Sequence, residues 1–228
     1  MALAVCYTGL SMYFANRVEA GQKLAINLSK YRYENCAVVA LSDGGVVVAA
    51  QIAQALHCVL TLLLTESIKV PGEPEAVGVI NQDGGFTYNN MYSAGQLEEL
   101  TTEFHQYIDQ DRLQKFHDMN RLLGQGGLIR RDLLYGHNVI LVSDGLNNAF
   151  SLDAAVEFLK PVKTQKLIVA TPLASVPAVD RMHVLVDEIH CLSVIDNYVD
   201  TNHYYQDNSV PNHETLVKTI QQVVLSWK

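Results

Sequence analysis

Three times in this 228-residue chain a short, unbroken apolar run stops at a turn and gives way to a helical pattern. CAVVALS (Cys36–Ser42) breaks at Ser-Asp-Gly-Gly, and Val46 to His57 resumes with Val48, Ile52, Ala55 and Leu56 on one helical face. The strand Val139–Val142 breaks at Ser143-Asp144-Gly145 and resumes as a helix over Leu152–Leu159, and KLIVAT (Lys166–Thr171) precedes a helix at about Val176–Met182. Strands that are apolar throughout, rather than alternately, are covered on both faces, which calls for a parallel sheet between layers of helix. The expected class is therefore α/β, a three-layer arrangement with a central, mostly parallel sheet flanked by helices. Ligands in such sheets sit beyond the carboxyl ends of the strands. The turns at 42–45 and 143–151 thus carry the functional expectation.

The remaining elements fit the same plan. Val18, Leu24, Ala25 and Leu28 keep helical spacing over Arg17–Lys30, and CVLTLLL (Cys58–Leu64) reads as another buried strand. Pro71, Gly72 and Pro74 punctuate a loop, after which AVGVI and FTY read as short strands about an Asp-Gly-Gly turn. A long helical stretch from Ser93 to about Leu123 slips its apolar face near Asp111, as two helices would. A Gly-rich connector holds Arg130 and Arg131. HVLVDEIHCLSV reads as strand, which sets His183 and His190, seven apart, on opposite faces. A last helix lines up Leu216, Val217, Ile220, Val223, Val224 and Trp227.

Composition narrows the function classes. With 49% apolar and 18% charged residues, the chain has material for a single domain over 1–228. Its most apolar run, Val46 to Leu64, is interrupted by Gln51, Gln54 and His57, too polar for a membrane span. No basic start precedes the first apolar residues, so a cytoplasmic protein is expected. A net charge of −8 argues against a surface that coats nucleic acid, which needs clustered Lys and Arg. The four cysteines lack metal-ligand spacing and read as buried reduced thiols; the eight histidines give no HExxH, and G-x-S-x-G is absent. No metal site is expected from these residues.

Several segments in order resemble one family. FANRVEAGQKLAINL, VVALSDGGVVVAAQIAQAL, KVPGEPEAVGVINQDG, NVILVSDGLNNAFSLDAA, VDEIHCLSV and YYQDNSVPNHETL together resemble a bacterial branch of the type I phosphoribosyltransferase fold, across nearly the whole chain. The resemblance implies a helical or hood insertion at about 66–136, a homodimer, and displacement of pyrophosphate from a ribose 5-phosphate donor with Mg²⁺. Two adjacent carboxylates would hold the ribose, and a small-residue turn at a helix N-terminus would hold the 5-phosphate through backbone N–H groups. The matching positions here are Ser143, Asp144, Gly145, Asn147, Asn148 and Ser151, with Asp43, Gly44, Gly45 and Lys69 as the pyrophosphate-loop candidates.

This chain departs from that pattern at its charges. Ser143 leaves one carboxylate of the pair; Ala149 and Phe150 replace smaller residues; Asp43 stands where the branch has Arg, and Glu66-Ser67 where it has Arg-Lys. Ala149 is expected to disfavour a positive φ that glycine would accept. Ser151 offers a helix cap as an alternative to a phosphate ligand. Two like charges 4 Å apart at an effective dielectric of about 20 repel by on the order of 4 kcal/mol. The departures imply a weak or inactive member that acts by binding a phosphoribosyl or nucleotide-like small molecule, or a protein partner. The alternative is an active transferase using the donor and Mg²⁺ at an altered site, with Lys69 or Arg131 on the leaving group. A third reading is a homodimeric scaffold.

Overall fold

The computed structural model describes residues 3–6, 13–123 and 134–225. Arg130, Arg131 and Trp227 lie outside the described residues. The strands are β1 (Leu3–Cys6), β2 (Cys36–Ala40), β3 (Val59–Leu62), β4 (Thr65–Ile68), β5 (Gly78–Asn81), β6 (Phe86–Tyr88), β7 (Asn138–Val142), β8 (Lys166–Ser175) and β9 (Glu188–Ile195). The helices are α1 (Arg17–Asn27), α2 (Asp43–Leu56), α3 (Ala94–Glu103), α4 (His105–Leu123), α5 (Phe150–Leu159), α6 (Val176–Leu185) and α7 (His213–Leu225).

Six strands pair in parallel in the order β1-β9-β8-β7-β2-β3. Every residue of β2 and β7 is buried, because both faces of those strands are covered. Ile140 and Val142 pack with Leu24, Ile52 and Leu216 from α1, α2 and α7. Their neighbours Val139 and Leu141 point the other way, onto Leu152, Phe158 and Met182 from α5 and α6. The α/β expectation is therefore met in its three-layer form. From β2 the chain moves to β3 on one side, and from β7 to β8 on the other. The sheet's direction of growth reverses between β2 and β7, so the turns after these two strands open at the switch point.

The second sheet is antiparallel, ordered β4-β5-β6, and packs with α3 and α4 around Ile68, Val77, Ile80, Leu100, Ile108 and Met119. Sequence patterning missed β4. Its Thr-Glu-Ser-Ile sequence is mostly exposed and carries no apolar alternation. The long helical stretch is two helices, but the break falls at Phe104 rather than near Asp111. Ser93 and Gln96 form a reciprocal capping box that fixes the start of α3.

Two other boundaries move. β8 runs past the expected end at Thr171 to Ser175, through Pro172. The ladder tolerates the missing N–H because its register passes from Thr171↔Cys191 to Leu173↔Ser193 across the proline. His183 belongs to α6, and only His190 lies on a strand, so the two share no sheet. Cys36, Cys58 and Cys191 are buried and form no disulfide; burial pushes the Cys36 thiol up to about 11 and the Cys58 thiol up to about 12. Among the described residues no helix is long and apolar enough to cross a membrane.

Candidate functional site

The parallel register sets the end of β2 beside the end of β7, and this brings Ser42 and Asp144 together. Asp144 is buried, and protein donors engage both its carboxylate oxygens: Arg17 Nε donates to Oδ2 at 2.8 Å and Ser42 Oγ to Oδ1 at 2.8 Å. Its backbone carbonyl accepts the Tyr205 hydroxyl at 2.6 Å. Ser42 also caps α2, accepting the Gly45 N–H at 2.8 Å, so one hydroxyl fixes both the helix start and the carboxylate.

All three guanidinium nitrogens of Arg17 are engaged. Nη2 donates to Asn202 Oδ1 at 2.7 Å, Nη1 to the Asn208 carbonyl at 3.0 Å, and the guanidinium lies 4.6 Å from the centre of the Tyr205 ring. The segment after β9 thus closes over the turn, with Arg17 as its anchor. Gly44 is required by this closeness: a Cβ there would meet Asp144 Oδ2 at 2.0 Å and Arg17 Nε at 2.7 Å. Gly44→Ala is expected to cost about 1–3 kcal/mol by overpacking the ion pair, read as a lower denaturation midpoint at unchanged m-value.

Ser143, in place of a second carboxylate, turns its hydroxyl inward and donates to the Gly145 carbonyl at 2.9 Å. Asp144 and Ser143 therefore present no carboxylate oxygen that the protein has not already engaged. Mg²⁺ at such sites is held by one or two carboxylates together with substrate phosphates; Asp144 is the single carboxylate of this turn, and each of its oxygens already accepts one protein hydrogen bond. Among the described residues no group of three His, Cys, Asp or Glu is placed to hold a metal ion.

The turn that follows is held open by the extended end of β8. Leu146 exchanges backbone hydrogen bonds with Leu173 and Ser175, and Ser175 Oγ donates to the Asn147 carbonyl at 2.5 Å. Ala149 sits at φ −96, an ordinary conformation, so the expected strain at this position is absent. The helix starts at Phe150 with no side-chain cap, which places Ser151 inside the first turn and not at the cap. First-turn N–H groups have no acceptor within their own helix, and the helix dipole adds partial positive charge there.

A cleft of about 360 Å³ opens between this turn and β4, and its wall includes Asn148, Phe150, Ser151, Ser67, Lys69 and Glu66. Lys69, Asn148 and Ser151 thus line one cleft. Phe150 walls the cleft without filling it. Asp43 is turned elsewhere: half exposed, its carboxylate lies 3.8 Å from His213 Nδ1 at the start of α7. Glu66 is also exposed, so water screens much of the repulsion expected from these two acids.

The sequence model of the phosphoribosyl transferase domain matches residues 10–208. The chain belongs to the phosphoribosyl transferase domain family. The crystal structure of TT1426 from Thermus thermophilus superposes with a TM-score of 0.69 at 25% identity, covering 94% of this chain and 99% of that one. Two Mycobacterium tuberculosis proteins named "Putative phosphoribosyl transferase", MT0597 and Rv0571c, are each 27% identical over 181 residues, 79% of this chain. The match spans 40% of the length of these curated relatives. In this phosphoribosyl transferase domain, Arg17, Asn202 and Tyr205 had not been singled out from sequence. One signal was available for Arg17: a cation in the first turn of a helix opposes the helix dipole and implies a specific partner.

Proposed function

We propose that this chain uses the phosphoribosyl transferase scaffold to bind a small phosphorylated, ribose- or nucleotide-like ligand, and that it transfers phosphoribosyl groups weakly or not at all. The observation that carries this reading is the state of Asp144. It is the one carboxylate at the ribose position, and Arg17 and Ser42 already hold both of its oxygens. A transition state with oxocarbenium character at C1, and a departing pyrophosphate, would need charges that this site does not present. Among the described residues lining the cleft, the acids Glu66 and Glu75 outnumber the cation Lys69. A monoester phosphate at the start of α5 needs less positive charge than a pyrophosphate, and Phe150 supplies an aromatic surface for a base.

Two measurements test the reading. Ribose 5-phosphate and nucleoside monophosphates are expected to shift the backbone amides of residues 148–151 saturably in a nitrogen–proton correlation spectrum. Phosphoribosyl pyrophosphate with Mg²⁺ and each common nucleobase is expected to release pyrophosphate no faster than a protein-free blank. Turnover would overturn the proposal in favour of an active transferase, for which the shared cleft of Lys69 and Ser151 is the favouring observation. In that case Lys69→Ala should abolish the activity.

A further inference from the structure

The chain's net charge is not spread over its surface. From Val70 to Asp111, 42 residues contain eight carboxylates and no Lys or Arg, and the remaining 16 acids of the chain are matched by 16 Lys and Arg. On other helices several acids are paired: Glu19 with Lys23, Asp111 with Lys115, Asp118 with Arg121, Glu214 with Lys218. Among the described residues Glu73, Glu75, Glu98, Glu99 and Glu103 form no ion pair. Helix α3 holds three of them without a basic residue.

Their placement works against the helix. Glu99 and Glu103 are four apart, a spacing at which like charges destabilise a helix. Glu103 is the last residue of α3, where the helix dipole disfavours an anion. Glu73, Glu99 and Glu103 border a cleft of about 360 Å³ between the Pro71–Glu73 loop and α3, whose wall also includes Tyr92, Leu100 and Phe104. Tyr92 is held in place by donating to Glu73 Oε2 and the Glu75 carbonyl, each at 3.2 Å. An apolar, aromatic wall beneath a carboxylate rim suits one chemistry: the alkyl stem of an Arg or Lys side chain against Leu100 and the rings, with its charged head among the acids.

We propose that this cleft docks a basic segment of a partner protein, inserting an Arg or Lys side chain between the rings of Tyr92 and Phe104. Charge complementarity selects a peptide, because Glu73, Glu99 and Glu103 around one cleft, with Glu98 next to Glu99 on the same helix, match several successive basic residues with a single side chain inserted. The cleft is lined by residues other than those around Asp144 and Lys69, so the proposal stands apart from the ligand reading above.

The probe is an acetylated Gly-Lys-Arg-Lys-Gly peptide, titrated at 150 mM salt into the full chain and followed by chemical shifts. Saturable shifts confined to residues 71–75 and 92–104 are expected. Glu99→Gln/Glu103→Gln should weaken binding about fivefold or more, while Glu157→Gln/Glu214→Gln, which removes as many charges at paired sites, leaves it unchanged. Glu103→Gln alone should raise Tm by about 1–3 °C, since it removes an anion from a helix C-terminus. Absence of saturable shifts would overturn the proposal, as would equal weakening by Glu157→Gln/Glu214→Gln, which means general charge attraction. Equal affinity for spermidine would also overturn it, by showing a site for small polyamines.

Discussion

Arg17→Met is expected to lower the unfolding free energy by about 3–5 kcal/mol, a fall in Tm on the order of 10 °C for a domain of this size. The methionine keeps most of the stem volume, so the loss comes from polar groups and not from a cavity. Asp144 would remain buried with Ser42 as its one side-chain donor, and the Asn208 carbonyl and Asn202 Oδ1 would lose their partners. A buried charge stripped of its partner costs more than the intact pair contributes, because its desolvation is no longer offset. The second half of the cycle makes the attribution specific: adding Asp144→Asn to Arg17→Met should restore about half of the loss or more. A single-variant loss below about 1 kcal/mol, or no recovery in the double variant, would mean that water replaces the guanidinium and that Arg17 does not anchor the segment over the turn.

The same pair marks the boundary of what the sequence discloses. The strands were legible because β2 and, after Asn138, β7 are unbroken apolar runs, a pattern that calls for cover on both faces. The turns after them were legible because the topology of a parallel sheet puts its sites there. Arg17 was not, because its partner lies 127 residues away and local periodicity has no access to that contact. Periodicity in fact misplaced the first turn of α1. Val18 was counted on the buried face, yet it is exposed and Arg17 is buried, since this turn faces the site and not the apolar core. β4 escaped for a related reason: its pairing with β5 fixes it through backbone hydrogen bonds, and its side chains carry little pattern.

At the candidate site, the identity of the residues was legible but their state was not. Ser143 announced a missing carboxylate, and the structure adds that the remaining one is engaged on both oxygens. Asp43 announced a reversed charge, and the structure turns it toward His213, away from the Lys69 cleft. Substitution patterns record which charges are present; direction and burial decide which of them a ligand meets.

The pH dependence of stability should be set at the other end of the sheet, where β9 begins. Glu188 is 5% exposed, and its Oε1 accepts Lys30 Nζ and His190 Nε2 while its Oε2 accepts the Tyr31 hydroxyl at 2.6 Å. Burial raises its pKa, but the hydrogen bonds from Lys30, Tyr31 and His190 outweigh burial and bring it down to about 2. Against an ordinary value of 4.5, that depression contributes about 3 kcal/mol, less whatever share of the half-exposed Lys30 is screened by water. The contribution of Glu188 is complete above pH 4.5 and is lost as pH falls toward 2. His190, 2% exposed, is held below its ordinary 6.5 by burial, which exceeds the opposing pull of Glu188, and its Nδ1 has no partner that would welcome a proton. The unfolded chain takes up that proton first, so stability begins to decline as pH drops below 6.5. Thermal unfolding should therefore show a constant Tm between pH 7 and about 8, a shallow decline below 6.5 and a steep one below 4.5. Glu188→Gln should be less stable at pH 7 and should flatten the steep limb, while the shallow one persists and deepens because His190 loses the carboxylate that favours its proton. An acid profile identical to that of the unsubstituted chain would place the titrating groups elsewhere.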